Sequence, residues 1–534
     1  MIPASFPSVQ RPALPAPVPN AHEPGYLEAV YAGVLGKLIG VYLGRPVENW
    51  SYARIAAGIG DVDYYVHDKR GRMLIVTDDD ISGTFTFLRA LEDYGFDPDL
   101  TSQQIGQTWL NYLIENTTIL WWGGLGNSTE HTAYLRLKNG VQAPESGSAK
   151  VNSLQVAEQI GAQIFIDGWG LVCPGDPARA ASYAERAARV SHDGEAVYGA
   201  QVIAALVSAA FIEKDIHRLL DIAVSQIPSN SVIAKLIKDL REWHRTGEDW
   251  RASREKLEAN YGYDRFAGQC PIVPNHGVII LALLHGEGDF DRSLMIANTT
   301  GWDTDCNSGN VGAILGVRNG LAGLATKDWR GPVADRLYIP SADGGRSISD
   351  AAREAVIVTN AGRALVSLEP LAPKGGARFH FSLSGSVQGW TTADPAMGQA
   401  SNVDGRLEIV HSGGNGRVVV STPTFVPPVA KDMVTGYVLV ANPTLFSGHT
   451  VLANLVPSGV NSLARMFIDR YNEFDETTRE YSPLFEVRDQ AREIPWRIPD
   501  TGGYPIHAVG IEVESGTLLL DSFTWQGVPT TSWP

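Results

Sequence analysis

The sequence has little cysteine: Cys173, Cys270 and Cys306 are the only three in 534 residues. Odd in number and widely spaced, they make neither a disulfide framework nor a CxxC zinc pattern. Positive charge is also scarce, with 43 lysines and arginines against 59 aspartates and glutamates and a formal net charge of -16. A surface of that sign is not built to neutralise many phosphates, so nucleic acid is not an expected partner. Every long apolar run is interrupted by charge or glycine, which predicts no membrane span and no membrane partner. The opening "MIPASFPSVQRPALPAPVPNAHEPGY" lacks a basic start and an apolar h-region. It reads as a proline-rich arm over residues 1–25, and the expected location is the cytoplasm.

What remains is a composition of ordinary globular type, 44% hydrophobic and 19% charged, in a chain longer than one core usually organises. Two regions differ in periodicity. Over residues 26–368, segments such as "YLEAVYAGVLGKLIGVYLG", "SQQIGQTWLNYLIEN" and "HGVIILALLHG" repeat apolar residues at helical spacing, predicting an all-α domain. After a proline and glycine linker at 369–376, runs such as "GRVVVSTPTF" and "HAVGIEVESG" are short, β-branched and bounded by turn residues. Val509, Ile511 and Val513 alternate there with Gly510, Glu512 and Glu514. Residues 377–534 are therefore expected to form an antiparallel β-sandwich of jelly-roll type.

Three acidic sites stand out in the helical region. In "VTDDDISGTFTFLRAL", Thr77 with Asp80 three residues on fits a helix cap, but three successive aspartates exceed what a cap requires. In "GWDTDCNSGN", Asp303 and Asp305 lie two apart; an extended or turn conformation would aim both carboxylates at one point, while Asx-turn chemistry is the plainer reading. Glu48 follows a helix whose Gly33, Gly36, Gly40 and Gly44 make one smooth face, and alone it would read as a solvated surface residue. If Glu48, Asp78, Asp79, Asp303 and Asp305 converge, their repulsion requires a compensating charge. Oxygen donors suit Mg²⁺, with Mn²⁺ or Ca²⁺ as alternatives, rather than zinc.

At "GVYLGRPVE", "VTDDD" and "GWDTDCNSGNVGAILG" the chain resembles the ADP-ribosylglycohydrolases, a family that includes the enzyme removing ADP-ribose from dinitrogenase reductase. The resemblance covers roughly residues 26–324 and implies an all-α fold with a pair of magnesium or manganese ions. It implies Thr77, Asp78, Asp79, Asp303 and Asp305 as metal ligands, and Glu48, Asp79 and Asp303 as catalytic residues. "AARVSHDGEAVYG" is similar to the family's Thr-His segment, with Ser191 and His192 at the matching positions. His192 would then line the site, its alternative being a satisfied histidine at a helix end.

Two departures from the family pattern bear on function. Cys306 replaces the usual hydroxyl ligand, so either it leaves the ligand set or one metal site is weakened, leaving one or two ions. The asparagine and glycine loop that meets ADP-ribose elsewhere is replaced by "EQIGAQIFIDGWGLV", which brings Phe165, Asp167 and Trp169. An added carboxylate there would repel a diphosphate and suits sugar hydroxyls better. Trp122, Glu130, His131, Asn275 and His276 complete the substrate-side candidates; adjacent Trp121 and Trp122 also fit core plus rim, and Asn275 also fits a helix cap.

The expected activity is divalent-metal-dependent hydrolysis of a glycosidic bond to ribose or another furanose, with a glycoside or nucleoside preferred over ADP-ribosylated protein. The sandwich is similar to carbohydrate-binding modules of glycoside hydrolases, or only stabilises or dimerises the enzyme. The alternatives are an ADP-ribosyl-protein hydrolase, a catalytically silent ADP-ribose or sugar-binding protein, and a structural protein whose acids are only caps.

Overall fold

The computed structural model describes Ala21 and residues 23–119, 123–413, 416–433 and 435–530. Most of the N-terminal arm, and the Trp121 and Trp122 pair, lie outside the described residues. The chain divides into two compact units. The helical one comprises Met1–Leu74, Asp78–Trp329 and Ile357–Pro370; the β-rich one comprises Ile75–Thr77, Arg330–Val356 and Leu371–Pro534.

The helical unit is organised by a pair of long helices, Tyr26–Gly44 and Thr304–Gly323. The first is apolar nearly all round and buried continuously from Val30 to Gly44, as a helix without a polar face must be. With its following turn, Tyr26–Val47, it has the length and composition to cross a membrane, contrary to the sequence expectation; 83% of its apolar window is buried inside the protein, the condition of a core helix.

Glycines let the two helices approach backbone to backbone. A Cβ at Gly36 would lie 2.0 Å from the Gly312 carbonyl oxygen, and one at Gly40 would lie 2.1 Å from that of Ser308. At Gly44 a Cβ would meet the Asp305 backbone nitrogen at 2.5 Å. The glycine stripe thus carries the end of one helix onto the start of the other, where the acids are. Gly36→Ala is expected to cost about 1–3 kcal/mol through forced separation of the pair. Thermal unfolding reads this as a lowered midpoint; an unchanged midpoint would contradict the packing described.

The β-rich unit holds a two-stranded sheet, β1 (Arg336–Tyr338) with β2 (Ile348–Asp350), and two larger antiparallel sheets. Their strands are β3 (Thr391–Thr392), β4 (Gly398–Val403), β5 (Arg406–His411), β6 (Val418–Pro423), β7 (Thr450–Val456) and β8 (Ser462–Tyr471). β9 (Thr477–Tyr481), β10 (Phe485–Val487), β11 (Arg492–Arg497), β12 (Ile506–Ser515) and β13 (Thr517–Gln526) follow. One sheet runs β10-β8-β12-β6-β3 with β9 beside β8, and the other runs β11-β7-β13-β5-β4. Inward residues of alternating strands, among them Val451, Ala453, Ile511 and Phe523, form its core, so this is an α domain followed by a β-sandwich. Glu512, placed on the polar face by alternation, is also buried; Arg465 donates to its carboxylate at 2.9 and 2.6 Å and compensates its charge.

Candidate functional site

Three segments of the helical unit bring carboxylates together. Asp78 is extended and caps the helix Asp79–Leu88, accepting the Ile81 amide at 3.4 Å. The cap is therefore Asp78 and not Thr77. The Thr77 hydroxyl donates to the Tyr437 carbonyl at 3.0 Å and lies 2.6 Å from that of Thr435, engaged within the β-rich unit. Asp303 is the residue before the helix Thr304–Gly323 and Asp305 lies in its first turn, so the two converge around a helix start rather than along an extended segment. Glu48 follows the short turn Arg45–Val47 that ends the first long helix.

Among the described residues these acids form three overlapping groups whose ligand atoms lie within 4.8 Å of one another: Glu48–Asp303–Asp305, Asp78–Asp79–Asp80 and Asp80–Asp305–Cys306. Asp80 belongs to two of them, although its sequence position suggested only a cap. Burial, followed by the neighbouring Asp305 charge, pushes Asp303 up to about 8, with Cys306 and Cys270 opposing. Burial also pushes Asp78 up to about 7, with Arg45 opposing and Asp79 and Asp305 adding to the rise. Glu48 and Asp80 are raised in the same way, burial first.

The donor set fits a hard divalent cation. The acids are oxygen donors, and Asp78 Oδ2 and Asp80 Oδ1 are buried with no hydrogen-bond partner among the described residues. A cation would satisfy these oxygens and reverse the elevated proton affinities. Cys306 contributes least. Its thiol donates to Asp80 Oδ2 at 3.4 Å, and burial with the surrounding charges holds it protonated.

Asn275 is not the helix cap that its position suggested, since the helix runs Ile272–Gly286 after Pro271. Its carbonyl oxygen accepts the Asp303 amide at 3.3 Å and the Asn307 amide group at 3.0 Å, while its own amide group donates to Tyr263 at 2.8 Å. It fixes the backbone that presents Asp303. Asn275→Ala is expected to weaken Mn²⁺ binding about tenfold, as loss of a supporting contact commonly does; calorimetric titration with unchanged affinity would contradict that role.

Beside the cluster lies a buried ion pair. Lys37 Nζ sits 2.8 Å from Asp167 Oδ2 and 4.0 Å from Asp80 Oδ1, and donates to the Ile164 carbonyl at 2.7 Å. Burial alone would lower its pKa, but Asp167 and Asp80 outweigh this and raise it. Asn310 donates to both Asp167 oxygens at 3.1 and 2.9 Å. Asp167, expected to meet sugar hydroxyls or repel a diphosphate, is instead neutralised in the interior. Trp169 is likewise a core side chain, 1% exposed with its ring 5.6 Å from that of Tyr183.

Glu130 and His192 do meet. Glu130 Oε1 lies 3.6 Å from His192 Nε2, and Ser128 donates to Oε2 at 3.1 Å. A Cβ at Gly161 would fall 1.4 Å from Glu130 Oε1, so glycine is required there. Burial, with a contribution from Asp79, pushes Glu130 up to about 7. Burial pushes His192 down to about 3, leaving a neutral ring. Its Nε2 accepts the Ala162 amide at 3.3 Å, which leaves Nδ1–H for the Ser191 hydroxyl at 2.7 Å. His131 Nδ1 accepts the Gly124 amide at 3.0 Å, and His276 Nδ1 is 2.6 Å from Gln163 Oε1 in the interior. The Trp122 assignment lies outside the described residues.

The helical unit thus carries, at its helix ends, a convergent carboxylate cluster able to coordinate a divalent metal. A model of the ADP-ribosylglycohydrolase family matches residues 22–363, and the chain belongs to that family. Family membership and the acidic cluster together are consistent with a metal-dependent hydrolase of this superfamily. Among solved structures, one described as "ADP-ribosylglycohydrolase-related protein complex" is 16% identical with a TM-score of 0.42, covering 64% of this chain and 99% of its own. Another, described as "Structural basis for the promiscuous specificity of the carbohydrate-binding modules from the beta-sandwich super family", is 17% identical with a TM-score of 0.22, covering 28% of this chain and 62% of its own. No curated protein matches the chain.

Proposed function

We propose that the chain is a divalent-metal-dependent glycosyl hydrolase acting on a bond to ribose or another furanose. The observation that carries this reading is the convergence of carboxylates from three segments, with two buried oxygens that have no hydrogen-bond partner among the described residues. Asp78, Asp79, Asp80, Asp303 and Asp305 would hold the ion, Mg²⁺ or Mn²⁺ by their chemistry. When bound, the metal supplies Lewis acidity and orients a water and the sugar hydroxyls. Glu48, half-buried at the rim, would take a proton from the attacking water, and burial with the neighbouring Asp305 raises its proton affinity. Glu130, with a pKa of about 7 beside neutral His192, is suited to hold the proton that the leaving group needs.

A glycoside or nucleoside is the preferred substrate. The segment that would offer backbone amides to a nucleotide is closed on itself: the amides of Ala162, Gln163, Ile164, Ile166 and Trp169 all have internal acceptors. Cys306 favours a second reading, a sugar or ADP-ribose-binding protein without turnover, because its thiol is a poor donor to a hard ion. We further propose that the sandwich binds carbohydrate, which retention of the full chain on insoluble polysaccharide would test.

The test of activity is a mass-spectrometric screen of nucleosides, aryl furanosides and ADP-ribosylated peptides, with Mg²⁺ and with EDTA. Metal-dependent cleavage of the simple furanosides is the expected result. Release of ADP-ribose from peptide would place the chain with protein de-modifying enzymes such as the dinitrogenase reductase-activating type, and silence on all three would favour the binding protein.

A further inference from the structure

We propose that Arg45 takes the place of a second cation, so that the acidic centre of this chain holds one divalent ion per molecule. The inference rests on the metal-binding reading above and goes further by assigning the stoichiometry to a side chain.

Six carboxylates, those of Glu48, Asp78, Asp79, Asp80, Asp303 and Asp305, make up the overlapping groups, enough charge for more than one divalent ion. Asp78 Oδ2 and Asp80 Oδ1, from residues no more than 1% exposed, make no hydrogen bond among the described residues and meet only the charges of Arg45 at 3.5 Å and Lys37 at 4.0 Å, which leaves acceptor capacity for an ion there. The guanidinium of Arg45 already spans all three segments. Its Nη1 bonds Glu48 Oε2 and lies 3.4 Å from Asp305 Oδ2, and its Nε lies 3.5 Å from Asp78 Oδ2.

A guanidinium carries donors only and cannot itself bind a metal, yet it points those donors at the lone pairs a metal needs. It faces Glu48 and Asp305 of the Glu48–Asp303–Asp305 group and Asp78 of the Asp78–Asp79–Asp80 group, and so competes with a cation for the lone pairs of both. Its attachment is suited to this: Pro46 fixes the following turn, and the close fit of Gly44 on Asp305 sets where the turn begins. Lys37 neutralises the opposite side through Asp167, is only 2% exposed, and leaves the rim to Arg45.

The experiment is Mn²⁺ titration of the EDTA-stripped full chain by calorimetry, with the spectrum of the loaded protein recorded by electron paramagnetic resonance. The parent should bind one ion with an uncoupled Mn²⁺ signal. Arg45→Ala and Arg45→Met, the second of which keeps the side-chain stem, should each bind two with a spin-coupled signal. Two coupled ions in the parent would overturn the proposal, as would one ion in both folded variants. No ion in any of the three would overturn the metal-binding reading itself, a different result from either. The parent measurement stands even if a variant fails to fold.

Discussion

Asp303→Ala is expected to lower kcat/KM by roughly 10³-fold or more while leaving the fold intact. Asp303 joins Glu48 and Asp305 in one group and is held in place by Asn275 through its backbone. It occupies the position before the helix Thr304–Gly323, yet its side chain makes no capping hydrogen bond, so its loss costs the helix little. Its carboxyl is destabilised as an anion by burial and by Asp305. Removing it therefore relieves repulsion in the metal-free protein, whose melting midpoint should not fall. An active variant would refute the assigned role; an inactive variant with a collapsed midpoint would show that Asp303 is structural.

Stripping metal should make stability fall as pH rises from 5 to 8. Asp78, Asp303 and Glu130 are raised to about 7, 8 and 7, chiefly by burial. Between the ordinary carboxylate range and these values the folded chain binds more protons than the unfolded chain, so the slope of stability with pH is negative. The contribution is fully present below about pH 4 and is lost as pH passes through 7 to 8. A single carboxyl displaced by two pH units is worth about 2.6 kcal/mol, and three are displaced further than that, so the effect should exceed that of any surface substitution. Saturating Mn²⁺ or Mg²⁺ should flatten or invert the slope, because the ion binds the ionised form. Chemical denaturation at several pH values in EDTA and in metal reads both; a flat profile in EDTA would mean that these acids are satisfied without a cation.

The sequence made the two architectures legible because each rests on periodicity: apolar residues at helical spacing to the end of the helical region, then β-branched alternation after the linker. The acids at 48, 78–79 and 303–305 were legible as motifs. Their convergence was not, since it depends on the glycine stripe that seats Gly36 on Gly312 and Gly44 on Asp305. A stripe of glycines announces close packing without naming the partner helix.

What the sequence concealed were the compensating charges. Lys37 is one basic residue in an otherwise apolar helix, and that incongruity was the available signal for a buried ion pair. Its partner Asp167 lies 130 residues away, and read alone it passed for a substrate contact. Trp169 stood beside Asp167 in the segment that replaces the loop, and its burial against Tyr183 comes from a contact that the local sequence does not announce. Ile75–Thr77 and Arg330–Val356 carry no composition that assigns them to the β-rich unit; Tyr338 pairing with Thr77, and Asp335 accepting the amides of Val387 and Gln388 at 2.8 Å each, are long-range contacts.

The carboxylates at 78–80 and 303–305 are proposed to share a divalent ion, and anomalous diffraction at the manganese edge, on crystals grown with Mn²⁺, tests this most directly. A peak is expected within coordination distance of at least one carboxylate from each segment, absent from crystals grown in EDTA. Ordered acids in the same crystals with no peak between them would contradict it.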